Sequence, residues 1–126
     1  MLRRLTLIVS FLTLANCESP AIRTACLDGQ CEDGRGRMAW YTALYEGDFV
    51  DGVLEGQGIM LWADGRRYEG EWRNGRQEGQ GTMTWPDGRR YEGEWRGGQP
   101  HGYGKLTYPD GLTVSGRFAN GYFEGR

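Results

Sequence analysis

Cysteine, histidine and proline are scarce in this chain of 126 residues, which contains three cysteines, one histidine and four prolines. A single histidine supplies little for nucleophilic catalysis or a zinc site, because both need several such groups close together. Hydrophobic residues make up only 38% of the sequence, which argues against a conventional packed core. The apolar run at residues 5–14 is too short to span a bilayer comfortably.

Glycine, by contrast, accounts for 22 residues, and its positions are periodic. Residues 68–90 read YEGEWRNGRQEGQGTMTWPDGRR, and residues 91–113 repeat them as YEGEWRGGQPHGYGKLTYPDGLT. Residues 45–67 are in the same phase, and residues 114–126 form a partial fourth copy. Glycine falls at positions 3, 8, 12, 14 and 21 of each 23-residue copy. A fixed period of this length indicates an array of supersecondary units.

Each full copy has the pattern of a β-hairpin. Tyr68–Trp72 and Gly79–Trp85 alternate charged or polar residues with apolar or small ones, as half-exposed strands do. Asn74-Gly75 between them is a tight-turn pair, and Pro86-Asp87-Gly88 marks the corner to the next copy. Pro100 lacks a strand amide, which favours a wider hairpin loop over positions 6–11.

The alternation places the aromatic residues and glycines on one face and the charged residues on the other. A large ring buries about 150–250 Å², which explains why glycines that weaken a strand recur opposite it. We therefore expect each indole to rest in a trough of glycines. The loop lengths predict three cross-strand pairs: Trp72–Gly79, Gly81–Trp95 and Trp85–Tyr91.

The spacing YxGxWxxGxxxGxG resembles the MORN repeat over residues 45–126. This resemblance implies an all-β fold, a single-layer twisted antiparallel sheet of tandem β-hairpins. It also implies a role in protein association, dimerisation or, in some members, lipid contact, with no single activity attached. Full repeats are expected at residues 45–67, 68–90 and 91–113, with a partial repeat at 114–126. Residues 26–44 repeat the Gly, Gly, Met, Trp series in degenerate form and predict an N-terminal capping repeat.

The N-terminal residues have the pattern of a cleaved signal peptide, residues 1–16. Arg3 and Arg4 form a basic region ahead of the apolar run. Leu14-Ala15-Asn16-Cys17 resembles a bacterial lipobox, which implies lipidation of Cys17, a tether over residues 17–25 and a periplasmic, membrane-anchored protein. Asn16 departs from the small residue usual there, and cleavage after Ala21, giving a soluble exported protein, is the alternative.

The chain has two cysteines in addition to Cys17. Cys26 and Cys31 enclose four residues with a turn-prone Asp28-Gly29, and we predict a disulfide between them in an oxidising compartment. A redox or metal pair is the alternative. Only two thiols are present and no histidine is nearby, so we predict neither a metal nor a cofactor.

A catalytic set is hard to assemble from this sequence. His101 lies in a predicted loop, and nothing in the sequence places Ser115 beside it. The glutamates and Asp-Gly corners recur with the structural period, as surface and turn residues do. Cleavage before Cys17 removes Arg3 and Arg4 and leaves a net charge near −4, which disfavours nucleic acid as a partner.

The aromatic face is the strongest candidate for a working surface. It is either a core packed on glycines or a partly exposed groove for peptide, glycan or lipid headgroup. Its residues are Tyr45, Trp62, Tyr68, Trp72, Trp85, Tyr91, Trp95 and Tyr108. A second candidate is an unpaired C-terminal edge strand that can pair with another copy, through Val114, Gly116 and Phe118.

The sequence therefore predicts a non-catalytic interaction or scaffold module of the bacterial cell envelope, whose protein partner it does not identify. A phospholipid-binding module is the alternative, and a small hydrolase is a remote one.

Overall fold

The computed structural model describes residues 25–126, which form ten β-strands and no helix. Each strand pairs antiparallel with its neighbours in the sequence, so the strands make one open sheet of consecutive hairpins. The predicted all-β array is therefore confirmed. Residues 1–16 and Cys17 lie outside the described residues. The strands are β1 (Ala25–Gly29), β2 (Gly34–Trp40), β3 (Ala43–Val50), β4 (Val53–Trp62), β5 (Arg67–Arg73), β6 (Arg76–Thr84), β7 (Arg90–Arg96), β8 (Gln99–Thr107), β9 (Thr113–Ala119) and β10 (Tyr122–Gly125).

Two-residue turns close the hairpins from β3 onward, so the wide loop predicted over positions 6–11 is wrong. Arg73 faces Arg76 directly across Asn74-Gly75, and both turn residues have positive φ, as a type I′ turn requires. Pro100 fits this narrow hairpin because it faces Trp95 in the second pair from the turn. The amide position of such a pair points away from the partner strand, so the missing N–H breaks no hydrogen bond between β7 and β8.

A β-bulge shifts the register inside each hairpin. The predicted register holds at Tyr68–Met83 and Gly70–Gly81, but Trp72 faces Gln77 and not Gly79. The bulge glycine, Gly79, has a φ of 61°. The Glu71 carboxylate accepts a hydrogen bond from the amide of the next bulge residue, Gln80. A bulge of this kind adds residues to one strand only, which loop counting does not reveal.

The two predicted pairs between repeats are also wrong. Across β6 and β7, Gly79 faces Trp95 and Gly81 faces Gly93, while Tyr91 faces Met83. The predicted register is off by two residues. Because side chains alternate with a period of two, this shift leaves every residue on its predicted face.

Glycines pair with glycines in a row that runs across nine strands. The ring that fills this trough is the tyrosine, and not the indole as predicted. A Cβ on Gly81 would collide with the ring of Tyr68, and a Cβ on Gly70 would lie 2.5 Å from Gly81 Cα. Tyr68 donates its hydroxyl hydrogen bond to the Glu71 carbonyl at 2.9 Å. The row contains Gly29, Gly36, Gly47, Gly58, Gly70, Gly81, Gly93, Gly104 and Gly116.

The indoles pack beside these tyrosines and join neighbouring repeats. Trp72 contacts the edge of Tyr68 in its own repeat and of Tyr45 in the preceding one. Its Nε1 donates a hydrogen bond to the Gly58 carbonyl at 3.2 Å. Ring contacts continue as a chain of eight rings with centroids 4.9–5.5 Å apart, edge-to-face except for a tilted contact between the last two: Phe49, Tyr45, Trp72, Tyr68, Trp95, Tyr91, Phe118 and Phe123.

Candidate functional site

Five of the eight predicted binding-face residues are buried, so they form the core and are closed to a ligand. Their exposed fractions do not exceed 4%. Of the two alternatives, a packed core and an exposed groove, the structure shows a packed core for Tyr45, Tyr68, Trp72, Tyr91 and Trp95. Trp62 and Trp85 are half-buried, and Tyr108 is 38% exposed. The accessible part of the predicted face is reduced to these three rings.

Each of the three accessible rings belongs to the first residue of a corner, the segment that connects one hairpin to the next strand. We call residues 62–66, 85–89 and 108–112 the corner row. In each corner a glycine amide donates to the carbonyl of the aromatic residue, at 3.0, 3.0 and 2.9 Å. The aromatic amide in turn donates to the carbonyl of the fifth corner residue, at 2.9, 2.9 and 2.8 Å. The backbone thus presents the three rings in the same way.

Successive corners also contact one another along the edge of the sheet. A Cβ on Gly65 would lie 3.3 Å from the ring of Pro86, and one on Gly88 would lie 3.5 Å from Pro109. The Ala63 amide donates to the Thr42 carbonyl at 2.8 Å. The corner row is therefore a continuous surface, with an open cleft beside Trp62.

In the first two corners an arginine covers the aromatic ring. The guanidinium carbon of Arg66 lies 4.8 Å from the centre of Trp62, and that of Arg89 lies 5.2 Å from Trp85. Each arginine also donates its Nε hydrogen to an aspartate in the same corner, at 2.8 Å to Asp64 and at 2.7 Å in the second corner. The signal for this arrangement is the arginine that follows Asp-Gly in phase with the tryptophan.

The aspartates of the corner row also hold the turn itself. Asp64 Oδ1 accepts from the Arg66 amide at 3.0 Å, and Asp87 Oδ1 accepts from the Arg89 amide at 2.9 Å. These amide bonds, and then the guanidinium bonds, hold the pKa of both carboxyls below its usual range. The Asp-Gly corners thus carry turn chemistry, as the sequence indicates.

The repeats seen in the structure also match the sequence model of a known protein family. The family model for the MORN repeat matches residues 45–66, 68–89 and 91–113, together more than half of the chain. The chain belongs to the MORN-repeat family. No curated protein sequence matches this MORN array. Its described residues contain no helix long and apolar enough to cross a membrane.

The C-terminal edge of the MORN array differs from the prediction. Strand β9 is not an edge strand, because β10 pairs with it through Phe123–Phe118 and Gly125–Arg117. On its other side β9 pairs with β8, with Val114 facing Leu106 and Gly116 facing Gly104. A half-repeat of 13 residues is long enough to add a tight turn and a short second strand. Val114, Gly116 and Phe118 are therefore not at a sheet edge, and self-association itself stays a prediction.

The predicted disulfide is confirmed at the opposite end of the sheet. Cys26 and Cys31 are bonded, with their Cα atoms 5.9 Å apart. Cys31 is buried in the core cluster, whereas Cys26 faces Met38 across β1 and β2. The bridge therefore fixes the first hairpin over the end of the aromatic core.

His101 has a structural position in the MORN array. Its Nδ1 accepts a hydrogen bond from the Asn120 amide at 3.4 Å. In the preceding repeats Glu55 and Glu78 accept from the equivalent turn amides at 2.9 and 3.0 Å. Ser115 faces Lys105 across β8 and β9. His101 thus occupies the place of a turn-supporting glutamate.

Proposed function

We propose that this MORN array is a non-catalytic protein-interaction module that serves as a scaffold at the bacterial cell envelope. The observation that carries the proposal is the corner row. It leaves three rings of the predicted binding face accessible at regular intervals, while the other five are closed into the core. Half-buried rings backed by a rigid sheet suit a polypeptide partner, since aromatic and arginine side chains dominate protein interfaces.

The corner row favours a protein partner over a phospholipid headgroup. A phosphate-binding edge needs free cationic side chains. The first two repeats each supply two successive arginines at or directly after their corners, and all four are paired with carboxylates of the chain. The pairs are Arg66–Asp64, Arg67–Glu69, Arg89–Asp87 and Arg90–Glu92, at 2.7–3.0 Å.

The proposed location rests on the N-terminal sequence. A basic region, an apolar run and Cys17 together fit export and lipid anchoring on the periplasmic side of a membrane. The disulfide between Cys26 and Cys31 fits an oxidising compartment. Mass spectrometry of the mature N-terminus tests this part: a diacylated Cys17 is expected, and a peptide that begins at Ile22 would exclude the anchor.

Site-specific photocrosslinking in cells tests the interaction surface. A photoreactive phenylalanine analogue at Trp85 is expected to give a discrete protein adduct. The same analogue at Arg76, the first residue of β6 at the opposite edge, is the matched control and is expected to give none. Equal adducts from both positions, or no protein adduct from Trp85, would contradict the proposal.

Vesicle sedimentation distinguishes a protein-binding module from a phospholipid-binding one. The processed, unlipidated chain is expected to stay in the supernatant with vesicles that contain anionic phospholipid. Sedimentation that increases with anionic lipid content and disappears at high salt would favour the phospholipid-binding alternative.

A further inference from the structure

The third corner lacks one part of the arrangement that the first two share. The third corner keeps the aromatic residue, the aspartate and the glycine of the first two, as Tyr108, Asp110 and Gly111. At its fifth position, however, it has Leu112 in place of Arg66 and Arg89. Leu112 has no group that can pair with a carboxylate. Its side chain is 67% exposed, and the ring of Tyr108 is 38% exposed.

The receiving groups for a guanidinium are nevertheless in place. Asp110 Oδ1 accepts from the Leu112 amide at 3.0 Å, as its counterparts accept from the amides of Arg66 and Arg89. The turn glycine has a φ of 88°, against 95° in the other two corners. In those corners Oδ2 receives the arginine Nε. Within residues 25–126 no cationic side chain pairs with Asp110 or stacks on Tyr108.

We infer that the third corner binds an arginine side chain of a partner polypeptide, between the ring of Tyr108 and Oδ2 of Asp110. The first two corners define the geometry: a guanidinium carbon 4.8–5.2 Å from the ring centre, with Nε 2.7–2.8 Å from the carboxylate oxygen. This inference rests on the proposed interaction role of the corner row and names the partner group that the row recognises.

Arginine is the side chain that this geometry selects. Its planar guanidinium stacks on an aromatic ring while an edge nitrogen donates to a carboxylate, and the ammonium of lysine cannot do both in the same way. The site is accessible on one side, because no atom lies within 4 Å of a Cβ placed on Gly111. On the other side Pro109 packs near Gly88, which fixes the corner.

Titration with a blocked Gly-Arg-Gly peptide, followed by NMR of the full chain, tests the site. We expect saturable shifts of the Tyr108 ring and the Leu112 amide, with a dissociation constant on the order of millimolar. Blocked Gly-Lys-Gly is expected to bind several-fold more weakly, and the citrulline peptide to give no saturation. Equal binding of all three peptides, or no shift at Tyr108 with the arginine peptide, would overturn the inference.

Two variants of the third corner give the matched controls. Leu112→Arg supplies the missing guanidinium from the chain itself and is expected to abolish peptide binding, since it rebuilds the first two corners. Asp110→Asn keeps the amide hydrogen bond but removes the charge, and is expected to weaken binding roughly fivefold. Unchanged binding in either variant would refute the site.

A third variant tests for gain of the same site. Arg66→Leu gives the first corner the Asp-Gly-Leu sequence of the third, and is expected to add a second arginine-peptide site with shifts at Trp62. Failure of these titrations with retained crosslinking at Trp85 removes only the inference. Peptide binding without any cellular adduct at Trp85 would instead count against the proposed function.

Discussion

The tyrosine at the first position of each full repeat controls the packing of its hairpin. Tyr68 is fully buried, its ring lies against Gly81, and its hydroxyl holds the bulge carbonyl of Glu71. A side chain on the glycine would occupy the space that the ring needs. The glycines therefore provide volume for the core, which offsets a cost of about 0.5–1 kcal/mol for each glycine in a strand.

Gly81→Ala tests this packing directly. The new methyl group would collide with the Tyr68 ring, which is fully buried. We expect the free energy of unfolding to fall by about 3 kcal/mol. Urea denaturation followed by tryptophan fluorescence measures this loss.

The control for that variant is Gly97→Asn in a tight turn. Gly97 has a φ of 57°, close to the 49° of Asn74 at the equivalent turn, and no atom lies within 4 Å of a Cβ placed there. A change of less than about 0.5 kcal/mol is expected. If both variants lose the same stability, glycine flexibility and not ring packing is the reason for the glycines.

His101 provides a second test at the residue scale. His101→Ala removes the acceptor of the Asn120 amide and is expected to cost about 0.5–1 kcal/mol of unfolding free energy. His101→Glu restores the residue of the preceding repeats and is expected to be at least as stable as the parent chain. Urea midpoints of the three proteins measure these differences. Equal midpoints for His101→Ala and the parent chain would show that the hydrogen bond contributes nothing to stability.

At the scale of the element, the first hairpin protects the N-terminal end of the core. Cys31 is buried there, and the disulfide ties β1 to the turn that leads into β2. Each hairpin of a repeat array contacts only its neighbours. A change at this end is therefore expected to remain local.

Reduction of the disulfide tests this local character. The loop it closes is short, so we expect a loss of roughly 2 kcal/mol. Hydrogen exchange is expected to accelerate in β1 and β2 after treatment with dithiothreitol, and to stay unchanged from β5 to β9. Faster exchange throughout the sheet would show that the array unfolds as one cooperative unit.

For the whole molecule, the buried tyrosines predict a loss of stability at alkaline pH. Burial, and then the charge of Glu94, raises the pKa of Tyr91 to about 12, and burial raises the pKa of Tyr45 and Tyr68 further. In the unfolded chain the tyrosine hydroxyls ionise near pH 10. The contribution of Tyr91 is therefore complete below pH 10 and is lost as the pH rises to about 12, by at most ~1.4 kcal/mol per pH unit.

Tyr91→Phe isolates one part of that dependence. The variant is expected to lose stability less steeply than the parent chain between pH 10 and pH 11.5, because it has one ionisable ring fewer in the core. Urea midpoints at intervals of half a pH unit measure the two slopes. Parallel slopes would contradict a buried and un-ionised Tyr91.

Strand type, repeat length and the separation of the two faces follow from the sequence, because alternation fixes which side each residue takes. Register depends on where the chain departs from alternation. The bulge at Gly79 and the tight turn at Asn74-Gly75 together shift Trp72 to Gln77, which a count of loop residues misses.

Burial is harder to predict than face, because it depends on a neighbouring hairpin. Parity groups Tyr68 and Trp85 together, yet only Tyr68 lies under the indoles of its own repeat and the next. Trp85 lies two positions beyond Met83, at the corner. The arginine that stacks on it is recognised only once the turn brings Arg89 over the ring.

The chain of eight rings has a consequence for how such a protein can change in length. Each repeat supplies half of the contact with the copy on either side, as Trp72 does between Tyr45 and Tyr68. Duplication or loss of an entire 23-residue copy preserves every junction, whereas an insertion of one residue in a strand turns its rings toward solvent. The interior of this sheet can therefore change in length only by whole copies, whereas an end can carry a partial copy, as residues 114–126 do.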